Sequence, residues 1–242
     1  MVPGRRAAGE SARVLSPSGG IPCGEMTALA PGVLARGPWP PERITVSWRD
    51  DVYEPGKTAT NDADRAIAAL AERGSPSHDG LAARLAAWKS TDEGLRLELQ
   101  PMRWAVRLSA HAAAALSVLC VTRASDGRWL AGRRADWVAS WAGRWTLGAG
   151  GAVEVAEDPV EALGRELEEE WSVTPARLSV EALVAPPSGM AMLVGLAWLP
   201  AGARVTMDAE HDDFAWWPAD VEAWPAEADE VLRRVARMLA AS

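Results

Sequence analysis

Residues 151–173 read GAVEVAEDPVEALGRELEEEWSV, and this stretch decides the fold. The sequence predicts a helix over about residues 159–171, because Asp158 is a favourable N-cap, Pro159 suits the first helical position and Glu161 suits the third. Four apolar side chains recur on one arc of this helix: Val160, Leu163, Leu167 and Trp171. An apolar arc of this kind predicts that the helix packs on a sheet.

Three glutamates of the same helix, Glu166, Glu169 and Glu170, stand at positions i, i+3 and i+4. Like charges at this spacing destabilise a helix unless a cation neutralises them, and hard oxygen ligands in this number suit Mg²⁺ or Mn²⁺. Glu161 and Glu168 point the other way, as the residues of a solvated acidic face do. The glycine-rich turn at residues 148–151 is expected to bring backbone carbonyl and N–H groups to the three carboxylates.

The spacing around these glutamates resembles the signature of the Nudix hydrolases, G-x5-E-x7-R-E-U-x-E-E-x-G-U, where U is a bulky apolar residue. The matching positions are Gly151, Glu157, Arg165, Glu166, Leu167, Glu169, Glu170 and Val173. The resemblance is close over residues 151–173 and extends in pattern over about 110–242, including a Trp- and Gly-rich approach at 145–151. One position departs, since Ser172 stands where the family has a second glycine, which ends the helix and carries no chemistry.

This resemblance implies a divalent-metal-dependent hydrolase that cleaves a diphosphate bond in a nucleoside diphosphate derivative, with a metal-activated water as nucleophile. It implies a set of metal-ligating and catalytic groups on the helix and the turn before it: Glu166, Glu169, Glu170 and the carbonyl of Gly150 or Gly151. Glu157 and Arg165 are expected to pair and to orient the helix with its carboxylates.

A general base is also needed, and in this family it comes from the signature residues or from a later loop. In the stretch EHDDFAWWP, Glu210 is the first choice, because many members place an acid just before a strand that begins with Trp, here Trp216. Asp212 and Asp213 are the alternatives, and an acidic surface loop is the competing interpretation. His211 is expected to be structural or exposed.

Other side chains are candidates for binding the substrate. Guanidinium groups pair bidentately with phosphate. The candidate phosphate ligands are Arg123, Arg133, Arg134 and Arg144, of which one or two are expected to face the site. The candidates for stacking on a base are Trp137, Trp141 and Trp217, although buried or interface packing is the commoner role of Trp.

The first part of the chain has a different composition from the rest. Residues 1–41 are rich in Gly, Pro, Ser and Ala and are predicted to form a disordered tail. Residues 42–109 are predicted to form a small α+β N-terminal module. Its expected elements are a strand at 44–48, a helix at about 62–73 capped by Asn61, a helix at about 80–88 and a strand at 95–100.

Residues 110–242 are predicted to form the Nudix hydrolase domain. The expected fold is α/β (α+β): a Nudix-type α/β/α sandwich around a mixed sheet, preceded by the small module. Besides the helix at 159–171, its expected elements are a strand at 114–122, a hairpin-type turn at 125–127, strands at about 178–185 and 190–199, a polar loop at 210–218 and a helix at about 226–240.

Charge and composition narrow the partners and the compartment. The 242 residues carry a net charge of −8: residues 1–109 have 14 basic and 13 acidic side chains, and residues 110–242 have 11 and 20. Such an acidic half repels duplex nucleic acid, so the expected partner is a small nucleoside diphosphate substrate. The sequence predicts neither a membrane span nor a secretory signal. Two cysteines, Cys23 and Cys120, make no disulfide framework or zinc site, which fits a cytoplasmic protein.

Several functional alternatives stay open at this stage. The substrate is a nucleotide sugar, ADP-ribose or a (d)NTP, with the segment SPSHDGLAARL faintly resembling nucleotide-sugar-cleaving members. A Nudix-fold binding or regulatory protein without catalysis is a second hypothesis, disfavoured by the intact glutamates. An isomerase of the isopentenyl diphosphate type shares the fold but needs an active-site cysteine, and Cys120 lies in an apolar run while Cys23 lies in the tail.

Overall fold

A computed structural model describes residues 29–75, 79–109 and 112–240. In chain order the strands and helices are β1 (Gly32–Trp39), β2 (Ile44–Trp48), α1 (Lys57–Glu72), β3 (Leu81–Thr91), β4 (Gly94–Arg103), β5 (Leu116–Arg123), β6 (Trp129–Arg134), β7 (Trp145–Leu147), α2 (Pro159–Trp171), β8 (Arg177–Ala185), β9 (Ala191–Trp198), β10 (His211–Trp217) and α3 (Glu230–Ala240).

The larger of two sheets is mixed, as predicted. Its strand order is β1-β8-β9-β5-β6-β10, and β7 pairs with β6. The central pair β5 and β9 is parallel, whereas the other strand pairs are antiparallel. Parallel strands are usually buried on both faces, so we expect helices to cover both faces of the sheet at β5 and β9.

Helices α2 and α3 supply those two layers. On α2, Leu163, Leu167 and Trp171 are fully buried in the core on one face of the sheet. On α3, Leu232 and Leu239 belong to a second core on the other face. The predicted α/β/α sandwich around a mixed sheet is therefore confirmed. None of the helices in the described part of the chain has the length and apolar character that a membrane span requires.

A second sheet lies within the predicted N-terminal module. Its order is β2-β4-β3, with β2 parallel and β3 antiparallel to β4. Strand β3 also contacts the larger sheet, since the Ala83 N–H donates to the Val153 carbonyl and the Leu85 N–H to the Ala114 carbonyl, both at 2.9 Å. The module is thus hydrogen-bonded to the segment that precedes α2.

The prediction of a tail over residues 1–41 was wrong at its C-terminal end. Residues 32–39 form β1, which pairs with β8 at the edge of the larger sheet, from Gly32 opposite Ala185 to Trp39 opposite Val180. The buried side chains of Ala35 and Trp39 anchor it. The part of the predicted tail before residue 29, including Cys23, lies outside the described residues.

Four other elements differ from prediction. The helix expected at 80–88 is strand β3, because pairing with β4 over its whole length outweighs the helix-forming composition LAARLAAW. Helix α1 begins at Lys57 with Gly56 as N-cap, ahead of the predicted start at 62. The loop expected at 210–218 is largely strand β10, held by β6. Helix α3 begins at Glu230, four residues after the predicted start.

Candidate active site

The segment before α2, residues 147–152, lies between β6 and β5 and pairs with both. Three pairings hold it there: Leu147 with Ala131 of β6, Ala149 with Cys120 of β5, and Ala152 with Ser117 of β5. Helix α2 then begins as predicted, because the Asp158 side chain accepts a hydrogen bond from the Val160 N–H at 2.8 Å. The turn containing Gly150 and Gly151 is therefore fixed against the helix that carries the glutamates.

Gly151 has no room for a side chain. A Cβ atom placed on it would lie 2.5 Å from the carboxyl carbon of Glu166, far inside van der Waals contact. The neighbouring Gly150 N–H donates to Glu170 Oε1 at 3.4 Å. The Gly150–Gly151 turn therefore packs closely against the carboxylates of Glu166 and Glu170.

Glu166 and Glu170 are both nearly removed from solvent, at 8% and 4% exposure. Burial raises the pKa of Glu166 to about 7, against the opposing effect of the Arg165 charge. Burial likewise raises the pKa of Glu170 well above its ordinary value, against Arg134. Two adjacent buried carboxylates with raised pKa values are short of positive charge, which is the electrostatic condition that favours binding a cation.

Arg165 links the carboxylates to the turn. Its Nε and Nη2 donate to the two oxygens of Glu157 at 2.7 and 3.1 Å, which is the pairing expected from the sequence. Its Nη1 donates to Glu166 Oε1 and Glu169 Oε2, both at 2.9 Å. Its Nη2 also donates to the Ala152 carbonyl at 3.2 Å.

Glu169 stands apart from the other two glutamates. Its side chain is 58% exposed and is held by Arg165. As the side chains stand in the described residues, no three His, Cys, Asp or Glu groups are close enough together to hold a metal ion. The structure brings Glu166 and Glu170 to the Gly150–Gly151 turn but leaves Glu169 on the arginine.

Glu210 and Arg134 approach from the neighbouring strands. Arg134 Nη2 lies 2.8 Å from Glu210 Oε2, and its Nη1 donates to Glu170 Oε1 at 3.4 Å. Among the candidate phosphate ligands, Arg134 is thus the one placed beside the buried carboxylates. Glu210 directly precedes β10, and its charge acts on both Glu166 and Glu170.

His211, expected to be structural or exposed, is buried. Its Nδ1 lies 3.1 Å from Asp208 Oδ1, and its ring centroid is 4.6 Å from that of Trp171. Its Nε2 lies 3.9 Å from Glu170 Oε2 and has no hydrogen-bond partner among the described residues. The ring therefore lies between Trp171 and the Glu170 carboxylate.

The remaining candidates lie elsewhere. Arg133 pairs with Asp212 at 2.8 Å and Arg144 with Asp229 at 2.5 Å, all on the surface. Asp213 is exposed, and its carboxylate accepts the Phe214 N–H. Arg133 and Arg144 therefore do not contact Glu166 or Glu170 among the described residues.

Two further predicted side chains have structural surroundings. Arg123 donates to the Gly127 carbonyl and lies over the rings of Trp129 and Trp198. Trp217 is buried against Trp145 and Trp224 and is not free to stack on a base. Trp137 and Trp141, by contrast, are 38% and 44% exposed, in the segment that follows Arg134.

Cys120 lies in the apolar strand β5 and is fully buried. Burial raises the pKa of its thiol to about 12. A thiol in this state is a poor acid and nucleophile, which does not support the isomerase alternative.

One charged residue near the site was missed by the sequence analysis. Arg107 donates a hydrogen bond to Ser117 of β5, and burial lowers its pKa against the opposing effect of the Glu166 charge. It lies before the region that resembles the Nudix hydrolases, and no spacing rule links it to residues 151–173. Only the three-dimensional fold identifies it.

Comparison with known proteins places these features in a family. The family model described as NUDIX domain matches residues 113–238. A search of curated proteins found no match. Among solved structures, the MutT protein from Methanosarcina mazei Go1 is 23% identical, with 52% of this chain and 94% of that chain covered and a TM-score of 0.40.

Two other solved structures are similar over the same share of this chain. The NUDIX domain of Shewanella oneidensis NrtR, complexed with ADP ribose, is 20% identical, covers 52% of this chain and 86% of its own, and gives a TM-score of 0.43. The MutT NUDIX hydrolase from Burkholderia pseudomallei is 21% identical, covers 52% and 97%, and gives 0.42.

Proposed function

Because the chain belongs to the NUDIX family, we propose that it hydrolyses the diphosphate bond of a nucleoside diphosphate derivative with the help of Mg²⁺ or Mn²⁺. The observation that carries this proposal is the buried pair Glu166 and Glu170, packed against the Gly150–Gly151 turn. Removing two carboxylates from water beside each other is costly unless a cation compensates. A divalent ion supplies that compensation and can at the same time bind the phosphate oxygens of a substrate.

The residues present fit a hard divalent cation. Glu166, Glu170 and the Gly150 carbonyl would hold it, joined by Glu169 once that side chain leaves Arg165. All four donors are oxygens, the ligand type that Mg²⁺ and Mn²⁺ prefer. When bound, the ion neutralises phosphate charge and acidifies a water molecule.

The other side chains have supporting parts in this proposal. Arg165, clamped by both oxygens of Glu157, holds the Glu166 carboxylate in place against the turn. Glu210 is the proposed general base, since it is the acid of the later segment that lies beside the buried pair. Arg134 is the proposed phosphate ligand, because it is the candidate arginine that lies beside the buried pair and a guanidinium can bind phosphate through two parallel hydrogen bonds.

Exposed aromatic side chains close to the site support a substrate that contains a nucleobase. Residues 135–144 leave β6 beside Glu210, whose carbonyl accepts the Ala135 N–H at 2.8 Å. The same segment carries the exposed Trp137 and Trp141, which offer an aromatic face to a nucleobase. A nucleotide sugar, ADP-ribose and a (d)NTP all satisfy this requirement.

A second candidate is a nucleotide-binding or regulatory protein that does not catalyse. The observation that favours it is the position of Glu169, which pairs with Arg165 instead of joining Glu166 and Glu170. In this alternative Arg165 replaces the metal as the partner of the carboxylates, and nucleotide binding persists without turnover.

One experiment separates these two functions. Product release is measured from UDP-sugars, ADP-ribose, dinucleoside polyphosphates and NTPs with Mg²⁺ or Mn²⁺, for the wild type, Glu169→Gln and Glu170→Gln. Glu161→Gln, an exposed glutamate on the other side of α2, is the matched control. Cleavage that the first two substitutions abolish and the control retains supports the hydrolase, and the preferred compound gives the substrate. Nucleotide binding without turnover of any compound supports the binding protein.

A further inference from the structure

We propose that Arg107, which precedes the family-matched residues 113–238, binds a phosphate group of the substrate next to Glu166. The N-terminal module would thereby contribute a substrate-binding residue to the NUDIX site. This inference rests on the proposed function and adds a residue to it from outside the family domain.

The backbone of Arg107 is firmly positioned. It belongs to a short 3-10 helix, Trp104–Leu108, that follows β4 and packs against α1. The two residues before it, Ala105 and Val106, are fully buried, and the Ser109 hydroxyl donates to the Val106 carbonyl at 2.8 Å. A side chain on such a short, anchored segment is directed by the fold and not by a mobile loop.

The Arg107 guanidinium contacts β5 next to the segment that contains Gly151 and Ala152. Its Nη2 donates to Ser117 Oγ at 3.0 Å, and Ser117 is the β5 residue that bridges Ala152. The residue before Ala152 is Gly151, against which the Glu166 carboxylate packs. The charge of Glu166 acts on Arg107, whereas Arg134 contacts Glu170, so each of these two arginines is associated with a different member of the buried pair.

The contacts of the Arg107 guanidinium are with neutral groups, since besides the Ser117 hydroxyl it lies over the Trp104 ring, 5.5 Å from its centroid. Within the described ranges, no carboxylate lies within ion-pair distance of it, and its one side-chain hydrogen bond is to the neutral Ser117 hydroxyl. Arg134 and Arg165, in contrast, are paired with carboxylates. The side chain is partly buried, and burial lowers its pKa. A guanidinium has five N–H donors in a planar fork that matches a phosphate, and a phosphate at this turn would use those that Ser117 does not.

A purely structural role makes different predictions from substrate binding. If Arg107 only ties the 3-10 helix to β5, its removal lowers stability and leaves ligand affinity unchanged. If it binds phosphate, its removal weakens binding of any diphosphate. The probe is methylenediphosphonate, a diphosphate analogue whose P–C–P linkage cannot be hydrolysed and which contains no nucleoside, titrated by calorimetry in Mg²⁺ against the full chain.

The variants are Arg107→Met and Arg107→Lys, with Arg96→Met as control, an exposed arginine on β4 of the same module. Loss of a charge-assisted hydrogen bond predicts roughly tenfold to hundredfold weaker binding for Arg107→Met. It also predicts a raised KM on the substrate found in the panel, intermediate values for Arg107→Lys, and a control within about twofold of wild type. Thermal melting of each variant gives the structural readout.

Equal affinity of Arg107→Met and wild type, with or without a fall in melting temperature, overturns the inference while leaving the proposed hydrolase intact. If Arg107→Met does not fold, Arg107→Lys decides, because it keeps the charge but loses the planar fork, and wild-type affinity in it overturns the inference. A wild-type protein that neither binds the probe nor cleaves any nucleotide contradicts the proposed function, and the inference fails with it.

Discussion

Replacing Gly151 by Ala tests whether the glycine turn sets the position of Glu166. The new methyl group would lie 2.5 Å from the Glu166 carboxyl carbon, whereas ordinary contact begins at 3.4 Å. The carboxylate must therefore retreat by about 1 Å, a displacement that costs on the order of a hundredfold in rate at a catalytic site. Because the displaced atoms are the end of a flexible side chain, the loss of unfolding free energy is expected to be about 1 kcal/mol or less. We expect a folded protein with activity reduced about a hundredfold.

The matched control is Gly164→Ala in the same helix. A Cβ on Gly164 meets nothing within 4 Å, and alanine is the better helix former by about 1 kcal/mol. This variant should keep wild-type turnover and gain stability. Steady-state kinetics and urea denaturation measure both quantities for both variants. Wild-type turnover in Gly151→Ala would show that the glycine turn does not set the position of Glu166, because Glu166 would then work equally well from a displaced position.

Three more predictions follow from individual residues. Ser172 ends α2 in the left-handed conformation, with φ of 52°, so Ser172→Gly should raise the unfolding free energy by about 0.5–1 kcal/mol in urea, and a loss would contradict the strain. Burial raises the pKa of Glu166 from 4.5 to about 7, so the metal-free protein should lose on the order of 3 kcal/mol of unfolding free energy as pH rises from about 4.5 to about 7. Mg²⁺ should restore it, and stability that is flat across this range would count against the shift. Glu210→Gln should lower kcat about a hundredfold or more if Glu210 is the base, whereas the surface control Asp212→Asn should stay near wild type, and the reverse ranking would reassign the base.

Helix α2 was predictable to the residue because its signals are local. Asp158 at the N-cap, Pro159 after it and the apolar arc that ends at Trp171 all act within a few residues of one another. The pairing of Glu157 with Arg165 was instead implied by the resemblance to the Nudix signature, and the structure contains it. Where local chemistry decides, sequence alone sufficed.

The misassigned elements depend on partners far away in the chain. Residues 81–91 have the composition of a helix, yet they form β3 because β4 pairs with them. Strand β1 needs β8, which follows it by more than a hundred residues. The sequence could not show which arginine lies beside the glutamates for the same reason. Arg133 and Arg134 are adjacent on β6, and the alternation of side chains along a strand directs Arg133 to the surface and Arg134 to Glu170.

The pairing of β1 with β8 has a practical consequence for anyone who produces this protein. A truncated version that starts at residue 113 would match the family model and still lack β1, leaving the backbone of β8 open as a template for other chains. It would also lack β3, whose Ala83 and Leu85 N–H groups donate to the carbonyls of Val153, before α2, and Ala114, before β5. Such a fragment is expected to aggregate during expression, so the recombinant version worth making begins upstream of Gly32.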